Sequence, residues 1–211
     1  MRVKICGITN LEDALAACDA GADALGFVFA PEAKARNRYI EPGKARKIIE
    51  QLPPFVVTVA VCVNEPLEKL LEYAGFCDRL QLCGEEREAD VVQLPLECVI
   101  KVFHTGRHFD LDAALEYPAS ACLLDAPGGR GARRQHGGSG TACDWTAARR
   151  AVDAGLRVIL AGGLTPENVA EAVRAVRPYA VDTSGGVECA PGKKDHDRIR
   201  RFITNAKNAL P

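Results

Sequence analysis

Short apolar runs alternate with amphipathic segments along the whole chain. Eight of these runs have the length and composition of strands, and segments with apolar residues at helical spacing fill most of the gaps between them. The predicted strands cover residues 3–6, 24–29, 56–63, 79–82, 99–103, 121–124, 158–160 and 180–183. The chain therefore repeats a strand-then-helix unit.

Local helix signals support this division. Thr9 or Asn10 is the predicted N-cap of the first helix, and Gly21 is predicted to end it before the second strand. Pro66 and Pro166 are predicted at the first helical position of the third and seventh helices, where a missing N–H costs nothing. The first unit thus has a predicted helix start and stop, and the third and seventh each have a predicted start.

The strands are nearly continuous apolar runs without hairpin turns between them, which favours parallel pairing with helices around the sheet. Eight such units in 211 residues predict a closed eight-fold β/α barrel, with residues 1–211 as one domain. An open doubly wound sheet remains the alternative, because the number of strands does not prove closure. Residues 126–143 are rich in Gly, Arg and Ala and form an unusually long connection, which indicates a functional or mobile loop.

Composition and charge limit the kinds of partner, location and metal chemistry that we expect for this chain. Hydrophobic residues make up 47% of the chain, charged residues 26%, and the formal net charge is -1, so neither nucleic acid nor an anionic membrane is an expected partner. No apolar run approaches the roughly 18 residues of a membrane span, and the N-terminus leads directly into a strand, so a cytoplasmic location is expected. The nine cysteines are predicted to be free thiols, and they do not combine with the four histidines at metal-ligand spacing. Monomer and homodimer are both open.

Residues that directly follow the predicted strands are the candidates for chemistry, because these strand ends meet on one face of a barrel. Cys6 and Asp125 are the two titratable groups there that can act as a base and an acid. A thiol becomes a competent base when its pKa falls from about 8.5 toward neutrality, and Lys4 is a candidate cation for that purpose. Core packing of Cys6 and a structural ion pair at Asp125 remain alternatives. The other polar candidates are Arg38, Asn64, Gln81 and Asp182.

Three glycine clusters indicate a phosphate ligand. They lie at residues 137–140, 162–163 and 185–186, and the last two follow the seventh and eighth predicted strands. Glycines at such positions let several backbone N–H groups point at one anion, and barrel enzymes often bind phosphate after these two strands.

Taken in order, the motifs resemble the phosphoribosylanthranilate isomerases of tryptophan biosynthesis. The resemblance covers nearly the whole chain and is carried by KICGIT at 4–9, GFVF at 26–29, VAVCVN at 59–64, QLCG at 81–84, LLDA at 123–126, GGSG at 137–140 with DW at 144–145, LAGGLTPENV at 160–169, and VDTSGGVE at 181–188 with PGKKD at 191–195.

This resemblance implies an eight-fold barrel that catalyses an Amadori rearrangement of N-(5-phosphoribosyl)anthranilate without metal or cofactor. Asp125 would be the general acid that protonates the ribose ring oxygen, and Cys6 the base that removes the proton from C2. Arg38 would contact the anthranilate carboxylate, and Asp182 would lie near the substrate. The phosphate-binding glycines would be Gly140, Gly162, Gly163, Gly185 and Gly186.

The chain departs from the family pattern at several positions. Arg36 and Asn37 replace the usual Ser-Pro before the arginine, Cys83 replaces a histidine, and Gly185 replaces a serine. Residues 127–134 form an apparent insertion in the sixth loop. Two other hypotheses remain: another sugar-phosphate isomerase or epimerase, which would need a metal or a different acid and base, and a non-catalytic barrel that binds a phosphorylated metabolite.

Overall fold

A closed barrel of eight parallel strands forms the centre of the molecule. The computed structural model describes residues 1–105, 109–126 and 143–210. The strands follow one another in sequence order around the barrel, and the eighth pairs with the first. They are β1 Arg2–Cys6, β2 Ala24–Val28, β3 Val57–Cys62, β4 Arg79–Leu82, β5 Val99–His104, β6 Ala121–Asp125, β7 Val158–Leu160 and β8 Ala180–Thr183. The predicted barrel is confirmed, and the open sheet is excluded.

Helices connect the strands on the outside of the barrel. They are α1 Leu11–Asp19, α2 Pro42–Ile49, α3 Leu67–Ala74, α4 Glu88–Val91, α5 Leu111–Glu116, α6 Trp145–Asp153, α7 Val169–Val176 and α8 His196–Lys207. Asn10 is the N-cap of α1, and its side chain accepts a hydrogen bond from the N–H of Asp13. Gly21 follows the helix with a φ of 91°, in the left-handed region that glycine tolerates.

The predicted positions of both prolines were wrong by one or more residues. Pro66 is the N-cap of α3 rather than its first residue, and α7 begins only at Val169. In the second case the Asn168 side chain accepts from the N–H of Thr165 at 2.8 Å and donates to the carbonyl of Gly163 at 3.0 Å. These bonds close a separate turn, which holds Pro166 outside the helix.

A small antiparallel hairpin follows the eighth strand and was not predicted. Its strands are β9 Glu188–Ala190 and β10 Lys193–Lys194, which turn at Gly192, where φ is 77°. Strands of two or three residues are too short to leave a periodic pattern in the sequence. The hairpin places Glu188 and Lys194 beneath the ends of the barrel strands.

Strand alternation separates two cores. In β1, Val3 and Ile5 belong to the large apolar core that also contains residues of the surrounding helices, whereas Cys6 belongs to a smaller cluster of strand residues. Lys4 shares the side of the strand on which Cys6 lies, and it is 3% exposed. The barrel interior therefore contains buried charge as well as apolar side chains. None of the helices in the described part of the chain is long and apolar enough to cross a membrane.

Candidate active site

A cavity of about 550 Å³ opens at the carboxyl ends of the barrel strands. Eight of the nine predicted site residues line it: Cys6, Arg38, Asp125, Gly162, Gly163, Asp182, Gly185 and Gly186. The ninth, Gly140, lies outside the described residues. Side chains and loops from distant parts of the chain thus converge because parallel strands end on the same face.

Cys6 is the last residue of β1 and is 7% exposed. Its sulfur and the ammonium nitrogen of Lys4 lie 2.7 and 3.1 Å from the point that a Cβ at Gly26 would occupy, so both atoms pack against this glycine of β2. Burial raises the pKa of the Cys6 thiol above its ordinary value; nearby Lys4 opposes that shift, and Asp182 adds to it. The thiolate is therefore scarce at neutral pH in the unliganded protein.

Lys4 and Asp182 form a buried ion pair between β1 and β8, with 2.9 Å between Nζ and Oδ1. Burial alone would lower the pKa of Lys4, but the Asp182 carboxylate and Cys6 raise it above its usual value. Lys4 is therefore a permanent cation beside Cys6. The sequence left open whether it is a neighbour of the thiol or a charge of the barrel interior, and it is both.

Asp125 ends β6 and is 8% exposed. One carboxylate oxygen accepts the N–H of Ala126 at 2.7 Å, and no cation pairs with Asp125 among the residues that the structure describes. Burial raises the pKa of this carboxyl, while the Ala126 N–H and His104 oppose the shift. The structural ion pair considered for Asp125 is thus not found in the described chain, and a raised pKa suits a proton donor.

The glycine loops after β7 and β8 touch each other at the cavity. Gly162 and Gly163 have φ values of 80° and 66°, which other residues rarely adopt. A Cβ at Gly186 would overlap the carbonyl oxygen of Leu164, and the Thr183 hydroxyl donates to the same oxygen at 2.8 Å. The close approach of these two loops therefore depends on the absence of a side chain at position 186.

Arg38 reaches the cavity from the loop after β2, where it is held by a carboxylate of the β9 hairpin. Its Nε donates to Glu188 Oε1 at 3.0 Å and its Nη2 donates to Oε2 at 2.8 Å. Nη2 also lies 2.8 Å from the point that a Cβ at Gly185 would occupy. A buried, fork-like pair of this kind fixes the plane of the guanidinium group.

Comparison with known proteins decides the family. The family model described as N-(5'phosphoribosyl)anthranilate (PRA) isomerase matches residues 3–205. The chain belongs to the PRA isomerase family. An N-(5'-phosphoribosyl)anthranilate isomerase from Trichlorobacter lovleyi is 49% identical over 212 residues, which cover all of both chains.

Solved structures agree with this membership of the PRA isomerase family. A crystal structure of phosphoribosyl anthranilate isomerase from Thermotoga maritima is 46% identical, covers 98% of each chain and superposes with a TM-score of 0.87. A second isomerase structure, 45% identical over 98% of each chain with a TM-score of 0.84, is a complex with reduced 1-(o-carboxyphenylamino)-1-deoxyribulose 5-phosphate. The resemblance inferred from the motifs is confirmed.

Three positions at which the chain departs from the PRA isomerase pattern line the cavity: Arg36, Cys83 and Gly185. Burial raises the pKa of Cys83 to about 12, so this residue stays a neutral thiol where the family pattern has an imidazole. Its sulfur accepts from Gln81 Nε2 at 3.4 Å. The Oε1 atom of Gln81 is buried without a hydrogen-bond partner in the described chain. Gln81 therefore presents an unsatisfied acceptor in the wall of the cavity.

Sequence reasoning missed three polar residues at this cavity: His104 lines it, and Glu188 and Lys194 contact residues that line it. His104 ends β5 beside Asp125 and contacts the carbonyl oxygen of Ala126 through Nδ1 at 2.9 Å, an arrangement in which Nδ1 carries the proton. Its place directly after an apolar run was the available signal. Glu188 and Lys194 gave no such signal, because neither follows a barrel strand.

The candidate Asn64 has a structural role, since its Oδ1 accepts the N–H of Glu85 at 2.7 Å.

Metal-ligating side chains do not cluster in the described ranges. No group of three or more His, Cys, Asp or Glu residues there lies close enough together to hold a metal ion. The absence of a metal or cofactor requirement stays a prediction.

Proposed function

We propose that the protein catalyses the Amadori rearrangement of N-(5'-phosphoribosyl)anthranilate to 1-(2-carboxyphenylamino)-1-deoxyribulose 5-phosphate, with Asp125 as general acid and Cys6 as general base. Membership of the PRA isomerase family supports the reaction. The observation that carries the two roles is that a buried carboxyl and a buried thiol line one cavity from the ends of β6 and β1.

The first step is ring opening. Asp125 gives its proton to the ribose ring oxygen, the C1–O bond breaks, and the lone pair of the anthranilate nitrogen forms an iminium with C1. The acid must hold its proton until substrate arrives, and burial favours this by raising the pKa of Asp125. The carboxylate left behind keeps its hydrogen bond to the Ala126 N–H.

The second step is proton removal from C2. The thiolate of Cys6 takes this proton, the C–H electrons form the C1–C2 double bond, and the iminium nitrogen becomes a neutral amine. Protonation of C1 and loss of the enol proton then give the ketone. The Asp125 carboxylate takes up a proton and the Cys6 thiol releases one, which restores both groups. Because the iminium acidifies the C2 proton, a thiolate present in a minor fraction suffices, and Lys4 increases that fraction.

Substrate anions are bound by the two sides of the cavity. The adjoining glycine loops, with Gly162, Gly163, Gly185 and Gly186, offer backbone N–H groups to the phosphate, and Arg38 offers its guanidinium to the anthranilate carboxylate. Gly140 is assigned to the same phosphate site by the family pattern. The electron pairs move within the substrate and the protons move between the substrate and these side chains, so the proposal includes neither a metal nor a cofactor.

The assembly proposed is a homodimer of single-domain subunits, each comprising residues 1–211, in the cytoplasm. A relative from Thermotoga maritima is a dimeric phosphoribosylanthranilate isomerase. In this chain the Phe55 side chain, just before β3, is 97% exposed, and neighbouring Val57 is also exposed. An apolar ring so fully exposed at the amino end of the barrel is suited to contact a second subunit.

The test is a coupled fluorescence assay that generates N-(5'-phosphoribosyl)anthranilate in situ and follows its disappearance. Cys6→Ala and Asp125→Ala are each expected to lower kcat by about 10²–10⁴-fold, the usual worth of one positioned proton-transfer group. Cys62→Ala is the matched control, since Cys62 also ends a strand but packs in the outer apolar core. Near-normal turnover of folded Cys6→Ala and Asp125→Ala proteins would refute the assigned roles.

A further inference from the structure

Three charged side chains form a continuous buried network under one wall of the cavity. Glu188 accepts hydrogen bonds from both Nε and Nη2 of Arg38, and its Oε1 also accepts from Lys194 Nζ at 2.9 Å. The side chains of Glu188 and Lys194 are 4% and 0% exposed, and that of Arg38 is 14% exposed. Charges buried this deeply are costly unless they are paired and fixed.

The same network reaches the strand end that carries the thiol. Lys194 Nζ donates to the carbonyl oxygen of Cys6 at 2.6 Å and to that of Ser184 at 3.1 Å. Together with Glu188, these acceptors use all three ammonium hydrogens. Lys194 therefore links the ends of β1 and β8 to the carboxylate that holds Arg38.

The charge balance of the network leaves one positive charge for a ligand. Arg38 and Lys194 are two cations, and in the described part of the chain Glu188 is the one carboxylate that pairs with their side chains; Asp13 contacts Lys194 only through the backbone N–H of Lys194. Glu188 occupies the Nε–Nη2 edge of the guanidinium group, so Nη1 and the second hydrogen of Nη2 remain for an acceptor in the cavity. An anionic ligand group that contacts Arg38 can neutralise this remaining charge.

We propose that Glu188 and Lys194 are positioning residues: Glu188 holds Arg38 in the orientation that receives the anthranilate carboxylate, and Lys194 holds Glu188 against the backbone at the ends of β1 and β8. This inference rests on the proposed role of Arg38 in binding that carboxylate. A guanidinium group on a long side chain loses much rotational freedom when it binds. Glu188 removes that freedom before the substrate arrives, so less affinity is lost on binding.

A merely structural role for the pair makes a different prediction. If Glu188 only stabilised the fold, its loss would weaken every ligand of the cavity to a similar extent. If it orients Arg38, its loss weakens only ligands that carry the carboxylate. The carboxylate of the substrate is therefore the group that distinguishes the two roles of Glu188.

The experiment compares two ligands by calorimetric titration. The probes are reduced 1-(o-carboxyphenylamino)-1-deoxyribulose 5-phosphate and its phenylamino counterpart, which lacks the carboxyl group. Arg38→Met is expected to weaken the first about 10- to 100-fold, as for loss of a charged hydrogen bond, and Glu188→Gln about tenfold. Neither substitution should change binding of the second more than about twofold. In turnover assays Glu188→Gln should raise KM about tenfold and leave kcat within about twofold.

Asp153→Asn is the matched control. Asp153 accepts the same Nε and Nη2 pair from Arg149, but on the exposed surface of α6, and its loss should change neither ligand. If Glu188→Gln folds poorly, the double variant Glu188→Gln with Lys194→Met removes the unpaired ammonium and should show the same selective loss.

The outcomes distinguish a failure of the positioning role of Glu188 from a failure of the carboxylate contact proposed for Arg38. Equal weakening of both ligands by the Glu188 variants, or no weakening, overturns the positioning role while Arg38→Met remains selective. If Arg38→Met itself fails to distinguish the two ligands, the carboxylate contact proposed for Arg38 is wrong, and the inference about Glu188 falls with it.

Discussion

Removal of the buried Lys4 charge is expected to have a large effect on the reactivity of Cys6. From their distances to the Cβ position of Gly26, the Lys4 nitrogen and the Cys6 sulfur lie within about 6 Å of each other. At an effective dielectric constant of about 20, a unit charge at that distance favours the thiolate by about 3 kcal/mol. Lys4→Met should therefore lower the thiolate population at a fixed pH by about a hundredfold.

The assay is the rate of alkylation of Cys6 by iodoacetamide over a range of pH, measured on the Cys6 peptide by mass spectrometry. Only the thiolate reacts, so the rate reports its population directly. Cys189 is exposed and serves as an internal reference in the same molecule. Lys4→Met should slow Cys6 by about a hundredfold and leave Cys189 unchanged.

A substitution of Asp182 tests whether neighbouring charges change the Cys6 thiolate population in the expected direction. Its carboxylate pairs with Lys4 and raises the pKa of the Cys6 thiol, so Asp182→Asn should speed alkylation. Removing one partner of a buried pair costs about 3–5 kcal/mol of stability, so the double variant Lys4→Met with Asp182→Asn keeps the comparison possible without an unpaired charge. Rates that change in the same direction in the two single variants, or a Lys4→Met rate equal to that of the parent, would refute this account.

Three further predictions follow from the geometry. Burial raises the pKa of Asp125, so the folded protein holds that proton more tightly than the unfolded chain does. Stability therefore falls as pH rises from about 4 through the folded pKa. Asp125→Asn should raise the melting temperature at pH 7 while losing turnover, and a lower melting temperature would contradict this. Gly186→Ala should push the β8 loop away from Leu164 and raise KM about tenfold or more, whereas Gly43→Ala, which meets nothing within 4 Å, should not. Phe55→Glu should shift sedimentation from dimer to monomer with the barrel still folded, and an unchanged sedimentation coefficient would remove this face from the proposed interface.

The barrel was predictable because its signals are local. The bounds of β4, β7 and β8 match the prediction, and the other strands differ by only one or two residues at their ends. Continuous apolar runs between capped helices need no information from distant residues. The hairpin β9–β10 was missed for the same reason, since its few residues form strands only against each other.

Only those site residues that lie at the ends of predicted strands could be found from the sequence. Cys6, Asp125 and Asp182 could be found because they follow or end apolar runs. The contact between Arg38 and Glu188 joins positions 150 residues apart, and neither residue type nor spacing indicates such a partner. The pKa of Cys6 was also beyond the sequence, because burial, Lys4 and Asp182 act on it in opposing directions.

The bond from Lys194 to the Cys6 carbonyl spans 188 positions of the chain. During synthesis the thiol therefore leaves the ribosome well before the strand that closes the barrel and the ammonium that holds the end of β1. Until those residues follow, Cys6 lacks the surroundings that suppress its reaction with oxidants and electrophiles. Closure of the barrel between β1 and β8 thus both protects the proposed base and completes its site.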